Sequence, residues 1–73
     1  MNLQAFIKEK RSSAKLTQPE LAEKAGVGLR FVRELEQGKA TLRLDKVNQV
    51  LRLFGYEMGP LPINRKELTD EKG

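Results

Sequence analysis

Cysteine and histidine are both absent from this chain of 73 residues. Without cysteine there is no disulfide framework and no thiolate zinc site, which fits a reducing compartment. Without histidine, the commonest general base and the commonest metal ligand are missing. No apolar run approaches the roughly 20 residues that a membrane-spanning helix requires. The N-terminus has no signal-peptide hydrophobic region, so the expected location is cytoplasmic. A chain this short buries a small core, and a single domain of limited stability is expected, to which dimerisation would add.

Charge, by contrast, is plentiful and uneven. The net charge is +4. Residues 1–43 hold nine Lys/Arg against five Asp/Glu, whereas residues 44–73 hold five of each. The whole positive excess therefore lies in the first part of the chain, a distribution suited to a polyanionic partner.

Helical signals fill that part. Leu3, Phe6, Ile7 and Ala14 recur at helical spacing and predict a first helix ending near Ser12–Lys15. Thr17 followed by Glu20 is a capping box, and Pro19 stands in the first turn, where its missing N–H costs nothing. A second helix is thus expected over Gln18–Ala25, with Leu21, Ala22 and Ala25 inward and Gly26 supplying a positive φ at its end. Val27 reads as a buried turn residue and Gly28 as a weak N-cap. A third helix follows from about Leu29 to Gln37 and stops at Gly38. A fourth is expected from Leu44 to Phe54, with Leu44, Val47, Leu51 and Phe54 as its core stripe, widened by Val50 and Leu53. Asp45 in its first turn suits the helix dipole, and Gly55 ends it.

The apolar residues among Tyr56–Ile63 would be left exposed on a four-helix monomer, and a short extended piece is expected at Tyr56–Met58. Two prolines prevent helix after it. Residues 64–73 are polar and expected to be disordered. The organisation is then a helical domain over residues 1–55, an extended segment over 56–63 and a tail over 64–73.

Two short helices joined by a glycine turn, within Thr17–Gly38, have the form of a helix-turn-helix, whose second helix enters the DNA major groove. With Leu29 placed at 0° and roughly 100° per residue, Phe31, Val32 and Leu35 share an inward face. Leu29, Arg30, Arg33, Glu34 and Gln37 share the opposite one. That outward face is a mixed reading surface. Arginine donates two hydrogen bonds to guanine, glutamate accepts from cytosine N4, and leucine packs on a thymine methyl. Candidate base contacts are therefore Leu29, Arg30, Arg33 and Glu34. Gln18 opens the second helix, Lys39 follows the third and Arg43 precedes the fourth. All three are candidate phosphate contacts, which fix register without reading sequence.

At Thr17–Gly38 the pattern T-Q-x-E-L-A-x-K-A-G-V, with L-E-x-G-K at the end of the third helix, resembles the lambda-repressor-like (Cro/C1-type, XRE) helix-turn-helix family. The resemblance spans about residues 3–55. It implies an all-α fold, a compact domain of four or five helices; no cofactor is expected. It assigns Gln18 and Lys39 to the DNA backbone and Leu29, Arg30, Arg33 and Glu34 to the major groove. It also pairs Arg11 with Glu36 as a structural ion pair. Two positions depart from the pattern: Gly28, where Ser or Thr is usual, and Phe31, where a small polar residue often stands. Phe31 is read as core.

A narrower resemblance lies in AGVGLRFVRELEQGKATLRLDKVNQVLRLFGYEM, which is similar to HipB-like antitoxins. It implies an autorepressor that binds and inactivates a HipA-type serine/threonine kinase toxin. It also implies a homodimer in which a short C-terminal strand, here Tyr56, Glu57 and Met58, pairs with its symmetry mate. The leading expectation is therefore a sequence-specific dimeric repressor acting on a pseudo-palindromic operator. The alternatives are a free-standing regulator without a toxin, or a helix-turn-helix kept only as a protein-docking module. Catalysis is not expected: Ser12 and Ser13 stand beside Lys15, but a nucleophile needs a base held in a pocket. No metal site is expected either.

Overall fold

The computed structural model describes residues 2–63, and within them the chain forms four α-helices and no strand. These are α1 (Leu3–Ser13), α2 (Gln18–Ala25), α3 (Leu29–Glu36) and α4 (Leu44–Leu53). α2 packs on both α3 and α4, and α1 packs on α3. None of the helices is long and apolar enough to cross a membrane. The polar tail over 64–73 lies outside the described residues.

Local chemistry sets the helix ends. The Asn2 side chain accepts from the Ala5 N–H at 2.8 Å and starts α1. At α2 the capping box is complete: Glu20 N–H donates to Thr17 Oγ1 at 3.2 Å, and Thr17 N–H donates to Glu20 Oε1 at 2.8 Å. The Thr17 backbone N–H first, and the Thr17 hydroxyl second, hold the Glu20 carboxyl below the ordinary carboxylate range. Gly26 ends α2 at φ 75°, where the Val27 N–H returns to the Ala22 carbonyl at 3.0 Å. α3 starts at Gly28 without a side-chain cap.

One turn has no sequence signal. Lys15 takes φ 58°, a conformation that favours glycine. It lets the chain reverse so that Leu16 N–H donates to the Arg11 carbonyl at 3.1 Å.

The core consists of Ile7, Leu21, Ala22, Val32, Leu35, Val47, Val50 and Leu51, with Leu3, Phe6, Phe31 and Phe54 packed around it. Each helix contributes to it. Three expected core positions differ. Leu44 and Leu53 are 58% and 41% exposed, and Ala14 is exposed. Leu44 is the first and Leu53 the last residue of α4, and a stripe drawn over the whole helix overruns the surface that α2 covers.

The expected strand at Tyr56–Met58 is not formed: the segment is irregular. A strand exists only by pairing its N–H and C=O groups with a neighbour, and among the described residues none lies beside it. Instead the segment folds back. Tyr56 meets Phe6 edge-to-face at 4.9 Å between ring centroids, and Lys10 Nζ lies 5.3 Å from the Tyr56 ring. The Met58 N–H donates to Asn48 Oδ1 at 2.8 Å. From Leu61 to Ile63 the chain is exposed.

Candidate nucleic-acid interface

α3 is eight residues long and divides sharply by side. Val32 and Leu35 are fully buried, and Phe31 is half-buried against the core. Arg30 and Arg33 project to solvent, the Arg30 side chain being 92% exposed. Leu29 is half-buried and packs on the core, so only part of its surface is available to a partner. Gln37 is exposed just past the helix.

Beside α3 runs a groove between its outer flank and the loop into α4. Arg30, Glu34, Lys39, Arg43 and Lys46 line it, with Phe31 at its wall. Four of these five charged residues are cations. Phe31, read as core, therefore serves both the core and this groove. Lys46 and Thr41 also line the groove and were not singled out by sequence reasoning. A signal did exist for Lys46: it stands three residues after Arg43, a spacing that puts both on one side of a helix start.

Three of the groove cations, Arg30, Lys39 and Arg43, are paired within the chain. Lys39 Nζ lies 3.0 Å from Glu34 Oε2, and Arg30 Nε lies 3.8 Å from the same oxygen. Arg43 grips Asp45 with two nitrogens, at 3.1 and 2.7 Å. That bidentate bond holds the Asp45 carboxyl below the ordinary carboxylate range.

On the opposite flank of α3, Glu36 is 2% exposed. It accepts from Arg11 Nε at 2.7 Å and Arg11 Nη2 at 3.0 Å, and from Gln18 Nε2 at 3.2 Å. Arg11 Nη1 donates to the Leu16 carbonyl at 2.9 Å. The hydrogen bond to Glu36 holds the Arg11 guanidinium further toward its charged form. Gln18, a candidate phosphate contact, is thus oriented from behind by a buried carboxylate of the adjoining helix. Among the described residues no buried side-chain polar atom lacks a partner, so this charged cluster is fully satisfied.

The structure thus brings Arg30, Glu34, Lys39 and Arg43 to one groove and sets Gln18 at the start of α2. Tyr56, Glu57 and Met58 lie elsewhere, along a shallow apolar depression with Leu3, Phe6 and Leu51. Among the described residues no group of acidic side chains is arranged to hold a metal ion.

Comparison with known proteins adds two findings. A profile described as helix-turn-helix matches residues 7–61. The chain is also 49% identical over 51 residues to an uncharacterized HTH-type transcriptional regulator, y4mF, of Sinorhizobium fredii (strain NBRC 101917 / NGR234). That match covers 70% of this chain and 67% of the relative.

Proposed function

The chain belongs to the Cro/C1-type helix-turn-helix family, and on that premise we propose that it is a sequence-specific, dimeric DNA-binding repressor. One observation carries the reading: the exposed arginine face of α3 adjoins a groove whose charged residues are four cations and one carboxylate. In this reading α3 enters the major groove. Arg30 and Arg33 read base edges, joined by Glu34 and the exposed part of Leu29. Gln18, Lys39 and Arg43 hold phosphates on either side. The Arg11–Glu36 pair fixes the angle between α1 and α3 and takes no part in reading.

Dimerisation through the segment after α4 is supported by its uncovered apolar surface. Tyr56, Met58, Leu61 and Ile63 are 47%, 42%, 85% and 67% exposed, and Leu53, the last residue of α4, is 41% exposed. In the dimer Tyr56, Glu57 and Met58 form the strand that a single chain cannot form. The similarity to HipB-like antitoxins extends the proposal: the repressor acts on its own operon and neutralises a HipA-type kinase.

Selection of binding sites from a random duplex library, followed by titration, tests the DNA role. The expected site is pseudo-palindromic, with half-sites about one helical turn apart or a multiple of it. Affinity should fall steeply with salt. Arg30→Ala or Arg33→Ala should relax preference at one base position by about 1–3 kcal/mol, whereas Lys39→Ala weakens all sequences alike. Base preference surviving both arginine substitutions would move the reading surface off α3. For the antitoxin role, the tagged protein is recovered from its host with bound protein and DNA. A kinase together with the protein's own promoter is the expected result, and promoter DNA without a kinase leaves a free-standing regulator.

A further inference from the structure

Glu34 is the sole carboxylate among the residues lining the groove beside α3, and it sits between two of the cations proposed to meet DNA. One of its oxygens, Oε2, faces both Lys39 Nζ at 3.0 Å and Arg30 Nε at 3.8 Å. An anionic oxygen shared between a lysine and an arginine is the arrangement a phosphate oxygen would take in the same place. The Glu34 side chain is 27% exposed, so it is neither locked in the interior nor free in solvent. A phosphate that takes the place between Lys39 and Arg30 must displace this carboxylate, and one that binds the outward donors of Lys39 still remains close to its charge.

We propose that Glu34 is an internal phosphate stand-in that suppresses binding to DNA of arbitrary sequence. On such DNA the displaced carboxylate finds no donor and repels the neighbouring phosphates. On the operator it gains a donor from a base edge in the major groove, such as a cytosine amino group. The same residue then disfavours the wrong sites and tolerates the right one, which is discrimination by a repulsive element as well as by attractive contacts. This inference rests on the DNA-binding reading above and assigns one residue of that surface its part in specificity.

The geometry also predicts a coupling. If Glu34 acts by occupying Lys39, its removal should matter less when Lys39 is already gone. Two independent effects would instead add.

The test measures binding of the wild type, Glu34→Gln, Lys39→Ala and the double variant to two duplexes of equal length by fluorescence anisotropy. One duplex carries the selected operator and the other a scrambled sequence. Glu34→Gln keeps the side chain's size and removes its charge. It is expected to tighten binding to the scrambled duplex by roughly three- to tenfold, with a smaller gain or a loss on the operator, so that discrimination falls. In the Lys39→Ala background the gain on the scrambled duplex should shrink.

Unchanged or weakened binding of Glu34→Gln to the scrambled duplex overturns the proposal while leaving the DNA-binding reading intact. So does a gain that is the same with and without Lys39. A wild type that binds neither duplex in a salt-dependent way overturns the DNA-binding reading itself, and this proposal with it. Thermal unfolding of each variant separates a binding effect from a folding one.

Discussion

Glu34 and Glu36 stand two residues apart on α3, and both pair with cations, yet the two flanks of the helix treat charge in opposite ways. Glu36 is 2% exposed, and Arg11 and Gln18 supply three hydrogen bonds to it. Glu34 is 27% exposed at the side chain and shares one oxygen between two cations whose other donors reach solvent. A carboxylate taken out of water is tolerable only when its lone pairs are filled, and it then fastens the elements that fill them. Here those elements are α1 and α2, fastened to α3. At the rim, water competes with each partner, the pair is worth little, and it is free to exchange. Burial therefore divides one short helix into a structural flank and a binding flank.

The sharpest way to break this contrast is at Glu36. Glu36→Ala leaves the Arg11 guanidinium without its partner and Gln18 without its anchor. Its cost should be about 3 kcal/mol, at the lower end for a broken buried pair because the Arg11 side chain is 21% exposed. For a domain of this length that is a large share of the total, which at the usual stability per residue is roughly 4–11 kcal/mol. Chemical denaturation reads it directly. Replacing both partners, as Arg11→Met with Glu36→Met, should cost less than Glu36→Ala alone, since no orphaned charge remains. A Glu36→Ala protein within about 0.5 kcal/mol of wild type would reduce Glu36 to the rank of a surface residue.

The turn that sets the rotation of α3 comes next. Gly26 has φ 75°, and a Cβ added there would meet only Gln49 Nε2, at 3.5 Å, an ordinary contact. Gly26→Ala therefore isolates the backbone cost of the left-handed conformation, about 1–2 kcal/mol by denaturation. Because it leaves both glutamates in place, it should lower stability without changing base preference. A change in base preference would show that the two flanks depend on this turn for their orientation.

The helix-turn-helix was largely legible because its signals are local. Thr17 with Glu20, Gly26 and Gly38 mark helix ends through short-range hydrogen bonds and positive φ. The wheel of α3 separates Phe31, Val32 and Leu35 from Arg30 and Arg33 without reference to any other element. What the sequence conceals depends on partners distant in the chain. On the same wheel Glu36 falls near Leu29 and Arg33, so periodicity places it toward solvent, and its pairing with Arg11 came from family resemblance alone. The Gln18–Glu36 bond, between residues 18 apart, had no counterpart in pattern; the Arg43–Asp45 clasp is local, two residues apart, but is a side-chain pairing that periodicity does not encode. Thr41 enters the groove because the loop into α4 passes beside α3, which no local pattern states. Leu44 and Leu53 look like core because an apolar stripe does not say how far its neighbour extends. Tyr56–Met58 looks like a strand because its residues suit one, but pairing needs a second segment.

The α2 cap offers a test at intermediate size, next to Gln18 but leaving both glutamates of α3 in place. Thr17→Ala removes the hydroxyl that accepts from Glu20 N–H and should cost about 1 kcal/mol. The cap also carries a pH signature. The folded protein holds Glu20 below its ordinary range, so the contribution is fully present above the unfolded value of about 4.3 and is lost as pH falls through the lower folded value. Glu20→Gln should flatten the decline of stability across that acidic window. An unchanged slope would place the acid sensitivity on other carboxylates.

The smallest expected effect completes the contrast with Glu36. Glu34→Gln removes a partly exposed carboxylate from Lys39 and Arg30, whose side chains are 47% and 92% exposed. Water replaces the lost acceptor at once, and the two cations are left hydrated. The change in stability should stay within about 0.5 kcal/mol of zero. High salt should reduce it further, because exposed pairs are screened and buried ones much less. Denaturation of Glu34→Gln and Glu36→Gln side by side, at low and high salt, makes the comparison internal: same helix, same chemical change, different burial. If Glu34→Gln cost as much as Glu36→Gln, Glu34 would be a second structural fastener, and its carboxylate could not be given up to an incoming phosphate. A near-zero, salt-damped effect is the condition under which Glu34 can exchange partners and leave the fold undisturbed.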